Sequence, residues 1–157
     1  MKRMQNELSE FDSKLLTLLS ANARMSWAEL AVELGVSAPA VTAHVRALEE
    51  RGILRGYTVL VDAESVGLGM TAFVFVTLGH PRHRAGFLKR VTEWPEVLEC
   101  HHVAGDDDYL LKVMTGTPRD QDTFLSEKLK GLPGMVRTRT TVALGTVKST
   151  PVLPLFA

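Results

Sequence analysis

Along the first fifty residues, apolar positions recur at helical spacing in three short runs. Phe11, Leu15, Leu18 and Leu19 keep to one helical face behind Ser9, a candidate N-cap with Asp12 three residues on. Ser26 and Glu29 have capping-box spacing, and Trp27, Leu30, Ala31 and Leu34 give the stripe of a second, shorter helix. Gly35-Val36-Ser37 breaks that helix: glycine suits a left-handed C-terminal position, and Ser37 can cap the next helix. A third helix is predicted from about Ala38 to Arg51, with Pro39 tolerated in its first turn and Val41, Val45 and Leu48 on its inner face. Gly52 reads as its stop, with Ile53 placed to touch Leu48.

Past Leu54 the period changes to that of strands. Tyr57-Thr58-Val59-Leu60-Val61 is β-prone, and the turn-favouring Asp62, Gly67 and Gly69 follow it. The remainder reads as strand, helix, strand, twice over. The strands are expected at Thr71 to Leu78, Val97 to Val103, Tyr109 to Thr115 and Val136 to Leu144, and the helices at about His83 to Trp94 and Arg119 to Lys130. The pairs Trp94-Pro95 and Leu132-Pro133 close the two helices in the same way, a weak internal repeat. The fold class predicted is α+β: an N-terminal winged-type three-helix helix-turn-helix domain (1–53), a β-strand linker (54–68) and a C-terminal βαββαβ ferredoxin-like domain (69–157). Both helices of that domain would cover one sheet face. The first strand is apolar on both faces, so the bare face is expected to pack on a second copy.

Charge and cysteine content narrow the function classes. The 157 residues carry no formal net charge; residues 1–60 hold seven Lys/Arg and seven Asp/Glu, and 61–157 hold eleven of each. Neither half is a basic tail, so phosphate contacts must come from placement on one face or from several copies. The single cysteine, Cys100, excludes an intrachain disulfide and any CxxC zinc pair, and fits a reducing compartment, here expected to be the cytoplasm. The polar N-terminal stretch is no signal peptide, and no apolar run is long enough for a membrane helix, so no membrane partner is expected.

Short helix, glycine turn and capped helix, here Ser26 to Arg51, form a helix-turn-helix order that points to double-stranded DNA. On a helical wheel, Pro39, Ala43 and Arg46 lie opposite the inner stripe of the third helix, with Ala40 and Thr42 flanking them. Small residues let the backbone approach a groove. Arg46 can reach a phosphate or guanine, Thr42 a base edge, and Ala40 or Ala43 a thymine methyl. Ala38 at the helix start and His44, nearer the core boundary, complete the DNA-binding candidates. The competing possibility is a plain three-helix domain whose third helix has a solvated face.

A second candidate is the loop Val103-Ala104-Gly105-Asp106-Asp107-Asp108-Tyr109. Its three carboxylates could accept bonds from an ammonium, while Thr138, Thr140 and Thr141 of the last strand could bind a carboxylate. On spacing alone, a solvated acidic hairpin explains the loop better. The acidic run lacks the alternating ligands of a calcium loop, and the neighbours His101 and His102 point to opposite strand faces and cannot chelate one ion together. No phosphate loop, dinucleotide glycine pattern or Ser-His-Asp order occurs, so no catalytic residue, metal or cofactor is expected.

The chain closely resembles the Lrp/AsnC (leucine-responsive and asparagine-operon) regulators over about residues 8 to 150. The resemblance is carried by Trp27 to Ala31 through Gly35-Val36-Ser37, by Val45 to Tyr57, by Val103 to Val113, and by Leu132 to Val136 followed by Thr138-Arg139-Thr140. It implies a sequence-specific transcription regulator that dimerises through the ferredoxin-like domain, assembles to an octamer and is modulated by an amino acid bound between dimers. Carried over by position, Gly105, Asp106, Asp108 and Tyr109 form the loop part of the effector site, with His102, Thr141 and Val142 as strand contributions. Ala43 and Ala47 stand where the family often has arginine or another polar residue, and Thr141 where a bulkier one is frequent. The alternative is an architectural DNA binder that ignores effectors, and a small enzyme on a ferredoxin-like dimer is a more distant one.

Overall fold

The computed structural model describes residues 8–155, which form two compact units: one of residues up to Leu60 together with Lys148 onward, the other from Val61 to Val147. The first unit is built from α1 (Glu10–Ala21), α2 (Trp27–Leu34) and α3 (Ala38–Glu50). Their inward positions, among them Leu15, Leu19, Leu30, Val41, Val45 and Leu48, share one buried cluster, and Ile53 packs against it as its position after Gly52 predicted. Trp27 departs from the expected stripe: at the first position of α2 it is 38 % exposed.

The second unit contains β1 (Met70–Leu78), α4 (Arg84–Glu93), β2 (Val97–His102), β3 (Tyr109–Thr115), α5 (Pro118–Thr123, continuing as a π-helical stretch Phe124–Leu129) and β4 (Met135–Val142). The sheet order is β2-β3-β1-β4, with every neighbouring pair antiparallel. This is the βαββαβ ferredoxin-like arrangement. Alternation along β1 and β3 sends Val74, Val76, Tyr109, Leu111 and Val113 into one core with Phe87 and Val91 of α4 and Phe124 and Leu129 of the α5 segment. Trp94 and Leu132, the two residues before the repeated prolines, both pack on that core, and Trp94 meets Phe124 edge to face at 5.5 Å between ring centroids.

On the other face of the sheet, β1 presents Phe73, Phe75 and Thr77, which in register meet Thr141, Arg139 and Arg137 of β4. Phe73 is 36 % exposed, so the apolar content that β1 shows on both sides is only half used by the helices.

Two expectations change. The predicted linker strand is not formed: 54–62 is neither helix nor strand, and the next regular element is a 3-10 turn at Glu64–Val66. β-prone residues make a strand only where a neighbouring strand takes their N–H and C=O groups, and among the described residues no segment exchanges backbone hydrogen bonds with 55–62. The second expectation concerns 148–155, placed by sequence in the last domain; these residues group with the helical unit, where Leu155 packs against the helical core.

Candidate nucleic-acid interface and effector loop

The third helix is fixed at both ends by local chemistry. The Ser26 hydroxyl accepts from Glu29 N–H at 3.2 Å, and Glu29 accepts in return from Ser26 N–H at 2.7 Å, so the capping box is complete. Gly35 takes φ +67°, a left-handed conformation in which a side chain would be strained, and lets Val36 N–H reach back to Ala31 C=O at 3.0 Å. Ser37 then caps α3, accepting from Ala40 N–H at 3.4 Å. At the far end Ile53 N–H closes on Leu48 C=O at 2.9 Å.

With Val41, Val45 and Leu48 turned inward, Pro39, Thr42, Ala43 and Arg46 are left exposed on the opposite side of α3. Arg46 is held loosely by Glu50 one turn on, at 3.4 Å with both side chains exposed, and Thr42 donates to Ala38 C=O at 3.0 Å. Ala38 and Ala40 are half-buried, and Ala38 packs on the core. His44 is exposed, yet its Nδ1 lies 3.0 Å from Asp12 Oδ1, and its ring lies 4.4 Å from that of Phe11. Asp12 also faces Arg51 at 3.8 Å, which makes this buried carboxylate a tie between α1 and both halves of α3. Sequence reading gave Asp12 only a position in the first turn; its partners lie more than thirty residues away, and no local pattern points to them.

In the second unit the loop between β2 and β3 is stitched to the end of β1. Asp108 N–H donates to Val76 C=O at 2.9 Å, and the Asp108 carboxylate accepts from Leu78 N–H at 2.7 Å. Asp107, absent from the predicted site, is the buried member of the acidic run, at 8 % exposure. It accepts from Thr77 Oγ1 at 2.9 Å, from Arg137 at 3.1 Å and from Arg139 at 3.3 Å, while Arg139 also lies 4.0 Å over the Phe75 ring. Desolvation pushes the Asp107 carboxyl up, but the Thr77 and Arg139 hydrogen bonds and the Arg137 charge outweigh it and hold the group below its ordinary value. Spacing allowed three carboxylates to meet an ammonium but favoured a solvated acidic hairpin. Two are bound to the protein itself, and Asp106 alone keeps an exposed carboxylate; its C=O accepts from Arg137 at 3.3 Å. Gly105 stands at the turn with φ +153°, open to solvent.

Tyr109 is 3 % exposed, its ring lying against those of Phe87 (4.8 Å) and His102 (5.2 Å), and its buried hydroxyl has no hydrogen-bond partner. His102, Gly105, Asp106, Asp108 and Tyr109 therefore gather at one end of the sheet. Thr141 and Val142 do not join them. They pair with Phe73 and Ala72, whereas Tyr109 pairs with Val76, which separates the two groups by roughly 10–13 Å along β1. His101 turns to the opposite face from His102 and meets Glu99 at 3.0 Å.

The sequence matches the family model of the Lrp/AsnC ligand binding domain over residues 71–153 and that of a winged helix-turn-helix DNA-binding domain over residues 8–55. A proline dehydrogenase transcriptional activator from Rhodobacter capsulatus is 37 % identical over 146 residues, covering 92 % of this chain and 95 % of that protein. The DNA-binding transcriptional activator DecR of Escherichia coli K12 is 33 % identical over 150 residues, covering 94 % and 99 %. Among solved structures, a transcriptional regulator from Neisseria meningitidis in complex with L-Met superposes with a TM-score of 0.90 at 32 % identity, covering 95 % of this chain and 97 % of that one. A feast or famine regulatory protein from M. tuberculosis complexed with L-methionine gives 0.86 at 33 % identity, covering 94 % and 99 %.

Proposed function

As this chain belongs to the Lrp/AsnC family of transcription regulators, and is a DNA-binding regulator rather than an enzyme, we propose that α3 reads duplex DNA and that the Gly105–Tyr109 loop senses an amino acid. The single observation that carries the DNA half is the free face of a doubly capped α3, with Pro39, Ala43 and Arg46 outward and Thr42 beside them. Ala40 sits at its edge. Ala38 and His44 act indirectly, Ala38 by seating the helix start on the core and His44 by tying α3 to Asp12.

The effector half draws on the loop chemistry. The Asp106 carboxylate suits an ammonium, the turn at Gly105 lets backbone approach a small ligand, and Tyr109 carries an unsatisfied hydroxyl beside His102. Thr141 and Val142 take part from a neighbouring copy, because one chain cannot bring them to the loop. The assembly consistent with this is a dimer through the Phe73/Phe75 sheet face, closing to an octamer in the cytoplasm. An effector acts by binding one assembly better than another. Among the described residues no helix is long and apolar enough to cross a membrane.

The test has two arms. Thr42→Ala with Arg46→Ala abolishes a footprint on selected operator DNA while circular dichroism and melting stay as in the wild type; a retained footprint refutes the reading helix. Thermal-shift screening with the twenty amino acids, followed by sedimentation with the best hit, finds at least one that changes assembly. No response to any of them would leave an architectural DNA binder.

A further inference from the structure

The DNA-reading unit brings no surplus of positive charge to a polyanion. Its described residues hold six Lys/Arg and six Asp/Glu, and three of the six cations face carboxylates, as Lys14–Glu10, Arg46–Glu50 and Arg51–Asp12. Phosphate neutralisation is the largest sequence-independent contribution to duplex binding, so a regulator with this balance needs cations elsewhere.

The second unit has them in one place. Between Glu64 and Glu93 the sequence contains no Asp or Glu, while Arg82, Arg84, Lys89 and Arg90 are joined by His80 and His83. Arg82 and His83 lie in the 3-10 turn Pro81–His83 that runs into α4, and Arg82 Nε donates to His83 Nε2 at 3.2 Å. With Phe87 and Val91 buried, α4 leaves Gly86, Lys89 and Arg90 on its exposed side, the two cations straddling the direction of Gly86. Arg82, His83, Gly86 and Arg90 rim a shallow cavity of about 300 Å³ floored by Phe87 and Leu132. A side chain at Gly86 would meet open space, so nothing stands between the flanking cations. Among the described residues only Arg90 of the four Lys/Arg has an ion-pair partner, Glu93 at 3.4 Å, with both side chains exposed. Arg84 projects elsewhere, at the start of the helix.

We propose that Arg82, Lys89 and Arg90 form a second DNA contact, a sequence-independent clamp on the phosphate backbone of duplex that the reading helices do not cover. It rests on the DNA-binding function proposed for α3. From Arg82 to Arg90 is eight positions, about 12 Å at helical rise. One strand presents a phosphate roughly every 3.4 Å of duplex axis, so the patch spans about three of them. Exposed guanidinium and ammonium groups without carboxylate partners release counterions from DNA at no cost in broken ion pairs, the exposed Arg90–Glu93 pair aside.

The test is the salt dependence of binding by the full-length protein to a long duplex carrying its selected operator. Arg82→Ala/Lys89→Ala/Arg90→Ala is expected to reduce the slope of log K against log [salt] by about 2–3 for each copy of the patch on the duplex, near 0.9 for each phosphate no longer neutralised, with operator preference and melting temperature unchanged. The reversal Arg82→Glu/Lys89→Glu removes about 1.8 per copy through its two lost contacts and weakens binding further by repulsion. By contrast, Thr42→Ala/Arg46→Ala loses operator preference and keeps most of the slope. A patch variant with the wild-type slope overturns the clamp and leaves the reading helix standing. So does one whose sedimentation changes while its slope does not, because the patch would then be a seat for acidic residues of a second copy. Wild-type protein that binds no duplex overturns both readings.

Discussion

Leu48 is the residue on which α3 and the helical core meet, and replacing it with alanine separates the two units energetically. It is fully buried in a cluster of eight residues from α1, α2 and α3, none of which belongs to the sheet unit. Leu48→Ala removes three carbon atoms, worth roughly 0.8 kcal/mol each in transfer, and leaves a cavity that a small core closes only in part, so the loss is about 3–5 kcal/mol. At about 3 kcal/mol the opening equilibrium of the helical unit shifts by more than 100-fold, and for a body of this size the melting temperature falls by roughly 12–24 °C. Native-state hydrogen exchange reads both units at once. Amides of α1, α2 and α3 lose protection by that factor, while those of β1, β3 and β4 keep theirs. Leu111→Ala, equally buried in the sheet core, gives the converse pattern. If Leu48→Ala deprotects the strands as strongly as the helices, the chain unfolds as one body and the reasoning fails; a change below 1 kcal/mol refutes the packing estimate.

Two further predictions concern the loop. Tyr109→Phe removes a buried hydroxyl that no protein group satisfies, so stability stays level or rises, while effector affinity falls about ten-fold, the equivalent of one hydrogen bond of about 1.4 kcal/mol. A lowered melting temperature would mean that the hydroxyl is bonded within the fold. For Asp107 the folded pKa lies below the ordinary value. Its ionised form therefore stabilises the sheet unit fully above the unfolded pKa, near 3.9, and that contribution is lost as pH falls from there through the depressed folded value. Asp107→Asn should accordingly be less stable than wild type at neutral pH and flatter in melting temperature below about pH 4; parallel profiles for the two proteins would exclude the Arg137–Asp107–Arg139 arrangement as a source of stability.

What the sequence could reveal depended on how local each cause is. Ser26, Glu29, Gly35 and Ser37 act on backbone groups within a few residues, so the helix boundaries and the outward face of α3 could be read directly from spacing. The strands of the sheet unit were legible as short β-prone runs, the first apolar on both faces, and the βαββαβ arrangement from the repeated helix-proline-strand pattern. The π-helical end of α5 was not, because Phe124, Leu125 and Leu129 fit a regular helix equally well and only packing selects the wider turn. Three adjacent aspartates are indistinguishable by type. Asp107 is singled out by Thr77, Arg137 and Arg139, which arrive from strands thirty residues away in either direction. Thr141 and Val142 were assigned to the loop site by position in the family; the register with β1 is what separates them from it within one chain.

Because residues from Lys148 onward return to the helical body, the polypeptide crosses between the two bodies twice, near Leu60–Val61 and near Val147–Lys148. The sheet unit is thus an insertion, held by two covalent leashes where a simple tandem arrangement has one. A protease nick at the first crossing leaves the sheet joined to a tail that is still packed among the helices, and a nick at the second leaves it joined to the helices through the first. Only paired cleavage sets the sensor loose, and an effector signal leaving the sheet has two routes of chain along which to travel.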